Sequence, residues 1–172
     1  AKRVAFSAHY DYVGENPDGN REIFYFDRKR LSKEIKRLVK RDGIDAITAK
    51  DQLIATRPGD FFKQLTHTAP PVINELPSLN GSGRVVAFVS SGDIVPGAPG
   101  NPDGNREIYR IDLKRAARGD LGATVQVTDT PVGVDNLNPN LRAYRGALLA
   151  FDSNGNLAPT SCVGGDSDTL PR

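Results

Sequence analysis

The stretch NPDGNREI occurs twice in this chain, at residues 16–23 and 101–108. In each copy an aspartate, an asparagine and a glutamate lie at positions i, i+2 and i+4. Calcium takes about six to eight oxygen ligands, and calcium loops present side-chain oxygens at this alternate spacing. The candidate metal ligands are therefore Asp18, Asn20 and Glu22 in the first copy and Asp103, Asn105 and Glu107 in the second.

The same octapeptide also has the composition of a tight turn that leads into a strand. Glycine supplies a positive φ, and the side chains of Asp and Asn bond nearby backbone amides. Pro17 and Pro102 precede the turn and have no N–H to donate. After the turn, Arg21 and Glu22 can pair with groups on neighbouring units. The preferred interpretation is a structural joint used twice; calcium is the alternative, and no other cofactor is predicted.

Residue patterns of common catalytic sites do not occur in the sequence. The two histidines, His9 and His67, lie outside any HExxH pattern, and no GxSxG elbow is present. The stretch GSGRVV lacks the third glycine of a dinucleotide loop and leads into a strand. Cys162 is the single cysteine, which excludes an internal disulfide and a zinc site of paired cysteines. The sequence therefore predicts a protein that is not an enzyme.

Repetition extends well beyond the octapeptide. The related stretches QLTHTAPPVINELPSLN and QVTDTPVGVDNLNPNL begin 62 residues apart, at Gln64 and Gln126. Phe88 and Phe151, in two further related stretches, are 63 residues apart. A period of about 60 residues is on the scale of repeat proteins. The units span about residues 1–68, 69–130 and 131–172.

Each unit consists of short candidate strands separated by turn clusters. VVAFVS is apolar and β-branched, whereas REIFYFD and REIYRID alternate polar and apolar residues. NGSG, PDGN and DTPVG have turn composition. Four short antiparallel strands in each unit are typical of a β-propeller blade. We therefore expect an all-β fold.

Three elements that recur in one order resemble the TolB-like β-propeller repeat. They are S-x-N-G-x-G-R-hydrophobic-A-F at 78–88, D-G-N-R-E-I-aromatic at 18–24 and 103–109, and Q-L-T or Q-V-T at 64–66 and 126–128. The third unit departs from the pattern, because LRAYRGALLAF lacks a glycine turn and no third DGNREI follows Asn156. The resemblance implies blades of four antiparallel strands and a location outside the bacterial cytoplasm, in the periplasm.

The 172 residues predict a single partial propeller domain. They hold fewer than three such units, and propellers have about four to eight blades. The chain begins near a second strand, at 2–7, and stops soon after another, at 147–152. We expect the ring to be completed by residues outside this stretch or by a partner, and the alternative is a smaller open sandwich.

Residues 28–60 form an insertion between the strands of the first unit. The net charge of the whole chain is +2, but residues 28–41 contain eight Lys or Arg and one acid. Leu31, Ile35, Leu38 and Val39 lie on one helical face. Gly43 is a predicted helix end, followed by a second short helix from 44 to 55, so that helical structure covers about 28–56.

The basic segment predicts either a solvated surface helix or a docking site for an anionic surface. The candidate partner-binding residues are Lys33, Lys36, Arg37 and Lys40. Their partner would be an acidic protein or an anionic membrane surface. Nucleic acid is not predicted, because aromatic residues are not interleaved with these charges.

These expectations combine into a non-catalytic scaffold or protein-binding module of TolB-like repeats, an accessory subunit of an extracytoplasmic or envelope complex. The alternative is the non-catalytic propeller segment of a larger hydrolase, such as a prolyl-oligopeptidase-like peptidase. A sugar-binding propeller ranks last, because aromatic residues make up 7% of the chain and tryptophan is absent.

Overall fold

The computed structural model describes residues 2–95, 100–142 and 148–157. These residues form strands in three antiparallel sheets, together with a few short helices, so the predicted all-β character is confirmed. The first sheet contains β1 (Val4–Ala8), β2 (Glu22–Phe26) and β3 (Phe62–Gln64). The central sheet contains β4 (Asn74–Leu79), β5 (Val85–Ser90), β6 (Glu107–Asp112) and β7 (Thr124–Gln126). The third sheet contains β8 (Asn136–Arg142) and β9 (Leu148–Ser153), and within every sheet neighbouring strands follow chain order.

The central sheet supplies most of the core because β5 is apolar along its whole length. All six residues of VVAFVS are buried, which requires that both faces of the strand be covered. Phe88 pairs in register with Tyr109 on β6, and Val86 pairs with Ile111. These four side chains and Ile23 from the first sheet form one buried cluster.

A β-bulge interrupts the first strand of both the central and the third sheet. In β4 the register shifts between Glu75 and Ser78, and Leu76 has a φ of 52°. In β8 it shifts between Leu137 and Asn140, and Asn138 also has a positive φ, 51°. A proline follows the positive-φ residue in each strand, and a bulge tolerates its missing N–H. The bulge and its positive-φ residue therefore recur together with the sequence repeat.

The insertion folds as a pair of helices close to the predicted limits. Helix α1 (Arg28–Asp42) begins at Asp27, whose side chain accepts a hydrogen bond from the backbone N–H of Arg30. It ends at Gly43, which has a φ of 69° and confirms the predicted stop. Helix α2 (Ala46–Thr56) begins at Asp45. The two helices enclose a cluster of buried apolar side chains, Leu31, Leu38, Ala49, Leu53 and Phe61.

The three sheets pack against one another in the order of the chain. Strand β4 contacts β1 and β2, and β8 contacts β4, β5 and β6. Val85 and Ala87 on β5 form a small buried cluster with Leu141 on β8, against which Leu149 on β9 packs. The short helix α3 (Leu113–Ala116) follows β6 directly. None of the helices in the described part of the chain is long and apolar enough to cross a membrane.

Candidate functional site

Each octapeptide forms the turn that its composition predicts. Its glycine adopts a left-handed conformation, with a φ of 64° in the first copy and 69° in the second. The buried Asn16 amide donates to the carbonyl of Asn20 at 3.0 Å. In the second copy Asn101 donates to the carbonyl of Asn105 at 2.9 Å. An asparagine thus closes both turns, and the chain leaves each of them directly into a strand.

Glu22, which follows the first turn, is fully buried and is surrounded by hydrogen-bond donors. One carboxylate oxygen accepts from the N–H and the hydroxyl of Thr68, at 2.6 and 2.9 Å. The other accepts from the Thr66 hydroxyl and from the Asn74 amide, the latter at 3.0 Å. Four donors compensate the loss of water around a group that can only accept. Because Thr66 and Thr68 follow β3 and Asn74 begins β4, Glu22 joins the first sheet to the central sheet.

Glu107 also accepts four hydrogen bonds one unit later. The donors Thr130 and Asn136 correspond to Thr68 and Asn74, whereas Asn105 donates in place of a second threonine. One of its oxygens accepts from the N–H and the hydroxyl of Thr130, at 2.8 and 2.5 Å, and from the Asn105 amide at 2.9 Å. The other accepts from the amide of Asn136, the first residue of β8, at 3.0 Å. Glu107 therefore joins the central sheet to the third sheet. We call the clusters around Glu22 and Glu107 the sheet joints.

An ionic chain runs beside the sheet joints. Glu75 on β4 accepts from Arg21 and from Arg106, each at 3.1 Å. Arg106 also lies 3.5 Å from Asp135. The arginine side chains are about 40% exposed, so each pair contributes little stability. The expectation that Arg21 and Glu22 contact neighbouring units is confirmed, but the complete burial of Glu22 was not foreseen.

Four side-chain amide oxygens at each joint are buried and have no hydrogen-bond partner among the described residues. They belong to Asn16, Asn20, Gln64 and Asn74 in the first joint and to Asn101, Asn105, Gln126 and Asn136 in the second. The match is residue by residue. The unpaired amide oxygens therefore lie at corresponding positions in the two joints.

The six candidate calcium ligands do not lie in equivalent environments. Asp18 and Asp103 are exposed on the turns, whereas Glu22 and Glu107 are buried and already bonded. In the described part of the chain no three His, Cys, Asp or Glu side chains cluster as metal ligands do. Calcium at the octapeptides stays a prediction. Cys162 lies outside the described residues.

Both histidines lie on the surface and make local contacts. His9 Nδ1 is 3.1 Å from the carbonyl oxygen of Gly19, on the first octapeptide turn. His67 Nε2 is 3.8 Å from the carboxylate of Glu15. The contacts of His9 and His67 thus belong to the surface around the first joint.

The four predicted partner-binding residues divide between two sides of α1. Lys33 and Lys36 line a crevice together with Lys2, Arg28 and Lys29. Arg37 and Lys40 line a different crevice, together with Glu34, Leu38, Arg41 and Arg57. In that second crevice Arg37 is paired with Glu34 at 3.1 Å. The structure therefore brings Lys33 and Lys36 together with other cations and separates them from Arg37 and Lys40.

A concave cationic surface lies between the first sheet and the central sheet. Two crevices, of about 740 and 790 Å³, share Arg3, Gly83 and Arg84 in their linings. We call the two together the basic groove. Its cationic lining residues are Lys2, Arg3, Lys29, Lys63, Arg84 and Lys114. Asp27 is the one acidic residue among the lining residues of these two crevices.

Arg3 is fixed in the groove by three contacts. Its Nε lies 3.2 Å from Asp27, its Nη1 donates to the carbonyl of Gly83 at 3.0 Å, and its guanidinium lies 5.7 Å from the ring centre of Tyr25. Gly83 has a φ of 68°, and a Cβ there would lie 2.7 Å from Cδ of Arg3, so the contact requires glycine. Burial, followed by the charge of Asp27, raises the pKa of Tyr25 to about 12.

Sequence reasoning missed the basic groove. Lys63 belongs to the first sheet, whereas Arg84 precedes β5 and Lys114 lies on α3. Lys63 and Arg84 are isolated cations in the sequence, and Lys114 has Arg115 and Arg118 near it, so no long charge run marks the three residues. Only the packing of the first sheet against the central sheet brings them to one surface.

Comparison with known proteins gives no relative from which a function can be transferred. No family model matches this chain, and no curated protein matches it significantly. Function has to be argued from the sheet joints and the basic groove.

Proposed function

We propose that this chain is a non-catalytic, protein-binding scaffold built of TolB-like propeller repeats, an accessory subunit of an extracytoplasmic or envelope complex. The observation that carries the proposal is the pair of sheet joints. The residues that recur in the sequence, among them Asn20, Glu22 and Thr68, are bonded to one another and to the next sheet. Their repetition thus serves to stack successive sheets.

The sheet order supports a propeller as the form of the scaffold. The central sheet has four antiparallel strands in chain order, as a blade does. Strands β4 and β8 each begin a sheet, carry the repeated bulge and pack against the preceding sheet. In the proposed ring, β1–β3 and β8–β9 belong to the two neighbouring blades. Since propellers have about four to eight blades, further repeats would complete it.

Protein binding is the role best matched to this arrangement. A stack of sheets that presents cationic crevices offers a pre-formed surface, and pre-formed surfaces lose little conformational entropy on binding. The periplasmic location rests on the resemblance to TolB-like repeats.

The test is to isolate the protein with its partner from the cells that produce it. A tagged chain would be cross-linked in intact cells with an amine-reactive reagent, purified, and analysed by size-exclusion chromatography and mass spectrometry. We expect one partner protein in a constant ratio, cross-linked through lysines that include Lys33, Lys36 or Lys63. Recovery of the tagged chain with cross-links to itself alone would contradict a scaffold role.

A separate labelling experiment tests the hydrolase alternative. If the chain is the propeller segment of a serine peptidase, a fluorophosphonate probe would label the polypeptide that contains it. Labelling of that polypeptide would replace the proposal with the hydrolase alternative, and absence of labelling together with a stable partner would support the scaffold.

A further inference from the structure

The basic groove concentrates positive charge, most of which is not paired with an acid among the described residues. Six cationic side chains line it against one acid, which gives the lining a net charge of +5. Among the described residues, Arg3 is the only one of the six that forms an ion pair, with Asp27. Lys63, Arg84 and Lys114 are exposed. A concave site lined by one sign of charge raises the local concentration of ligands of the opposite sign.

Apolar side chains also line the groove. Leu65 and Leu113 line the first crevice, and Val4, Ala5 and Leu79 line the second. Each crevice has a volume in the range of about 300–1,000 Å³ that is usual for ligand sites. Cationic and apolar side chains in one lining match a ligand that presents carboxylates and apolar side chains together.

The groove continues along the start of α1. Its residues Lys2 and Lys29 also line the crevice that contains Lys33 and Lys36. The backbone N–H of Lys29 donates to the carbonyl of Lys2 at 3.1 Å, which holds the start of the helix against the chain that leads into β1. The cationic surface is therefore long as well as concave, a shape that favours an extended chain.

We propose that the basic groove binds an acidic, extended segment of the partner protein. This inference rests on the proposed binding function and names the chemistry of its partner. Carboxylates of the segment would contact Lys63, Arg84 and Lys114, while its apolar side chains would pack against the apolar lining residues. Arg3, already oriented by Asp27, Gly83 and Tyr25, would direct its remaining donors at the segment with little loss of side-chain entropy.

Two other anionic partners fit the groove less well. A bilayer is flat and would not follow a crevice that is lined by two sheets. Single-stranded nucleic acid requires aromatic side chains on which bases stack. Tyr25 is the one aromatic residue among the lining residues, and it already lies under the guanidinium of Arg3.

The experiment uses a fluorescein-labelled peptide of alternating glutamate and leucine, with a glutamine–leucine peptide as its uncharged match. In an extended chain, alternate residues point to opposite sides, so the peptide presents carboxylates along one side and leucines along the other. Binding to the full chain would be followed by fluorescence anisotropy at low and high salt. We expect the glutamate peptide to bind, the glutamine peptide to bind at least about tenfold more weakly, and added salt to weaken the binding.

A pair of double variants locates the site. Lys63→Glu with Lys114→Glu reverses two groove charges and is expected to weaken peptide binding by about tenfold or more. Lys50→Glu with Arg142→Glu makes the same change in net charge at exposed residues that do not line the groove, and is expected to leave binding unchanged. Circular dichroism would confirm folding, and Lys63→Gln with Lys114→Gln replaces the first pair if it does not fold.

Three results would overturn the inference. One is equal affinity for the two peptides, and another is equal loss of binding in the groove and control variants. The third is groove-dependent binding of phosphatidylserine vesicles or of a single-stranded oligonucleotide without binding of the glutamate peptide. If the groove variant still co-purifies with the cellular partner, this inference fails while the scaffold function stands; if the unmodified chain has no partner, the scaffold function itself fails.

Discussion

Glu22 and Glu107 show how a single buried acid can determine the position of a whole sheet. Removing a carboxylate from water is costly unless its oxygens are fully bonded. Each of these two glutamates accepts four hydrogen bonds, and one donor in each case belongs to the first strand of the next sheet. The bonds form only when that strand is in the correct register, so each glutamate favours one placement of the following sheet over its alternatives.

Replacing either glutamate by glutamine is expected to destabilise the protein. Glu22→Gln and Glu107→Gln keep the shape of the side chain but exchange an acceptor for a donor that faces other donors. A buried polar group left unpaired costs about 1–3 kcal/mol, so we expect each variant to lose stability in that range in urea unfolding. Asp103→Asn, in the same octapeptide but exposed, is the matched control. Equal stability of all three variants would show that the sheet joints do not hold the sheets together.

The inserted helices form an element with its own small core. Their amphipathic pattern arises because Leu31 and Leu38 lie on the face of α1 that meets Leu53 and Ala49 of α2. Asp45 begins α2 by accepting from Ile47 and Thr48. The hydrogen bond from the Thr48 hydroxyl, together with those from the backbone N–H groups, lowers the pKa of Asp45. The insertion is therefore held by the cluster between its helices, against which Phe26 and Phe62 of the first sheet also pack, and its cationic side chains are exposed.

Two substitutions on α2 distinguish the loss of buried packing from a change in helix propensity. Leu53 is 2% exposed and Ile47 is 69% exposed, although both side chains are aliphatic and lie on the same helix. We expect Leu53→Ala to cost about 2–5 kcal/mol, because it leaves a cavity in the cluster between the helices. Ile47→Ala should change the free energy of unfolding by no more than about 0.5 kcal/mol. Urea unfolding followed by circular dichroism would measure both, and similar losses would mean that the helices do not pack as described.

In the molecule as a whole, stability is concentrated in the centre of the sheet stack. Strand β5 is bonded on both edges and is buried at all six positions. Strand β9 pairs with β8, and its residues alternate between exposed and half-buried. The groove lies on one side of this stack, between the first sheet and the central sheet. A binding surface attached to the best-packed part of the molecule keeps its shape before the partner arrives.

Amide hydrogen exchange would measure this difference in local stability between the central sheet and the third sheet. We expect the bonded amides of β5 and β6 to exchange slowest, because their opening requires global unfolding. The bonded amides of β9 should exchange much faster, through local opening of the third sheet. Glu107→Gln should further accelerate exchange in β8 and β9 while changing β1 and β2 much less. Equal protection of the three sheets from exchange would contradict this difference in local stability.

The residues that could be interpreted correctly from the sequence are those whose structure is local. The apolar run of β5, the turn glycines and the end of α1 at Gly43 each follow from the preferences of a few consecutive residues. The burial of Glu22 could not be predicted in this way. A glutamate beside an apolar residue in a strand normally faces solvent, and its donors come from Thr66, Thr68 and Asn74, more than 40 residues later.

By itself, the amino-acid sequence determined the repeat, the strand-rich character, the turns and the helical insertion, because backbone conformation and side-chain alternation depend on near neighbours. The tertiary structure alone decided which polar residues are buried and which cations share a surface. Lys63, Arg84 and Lys114 form one electrostatic site only because two sheets pack together, and electrostatic interactions depend on distance in space, not on separation along the chain.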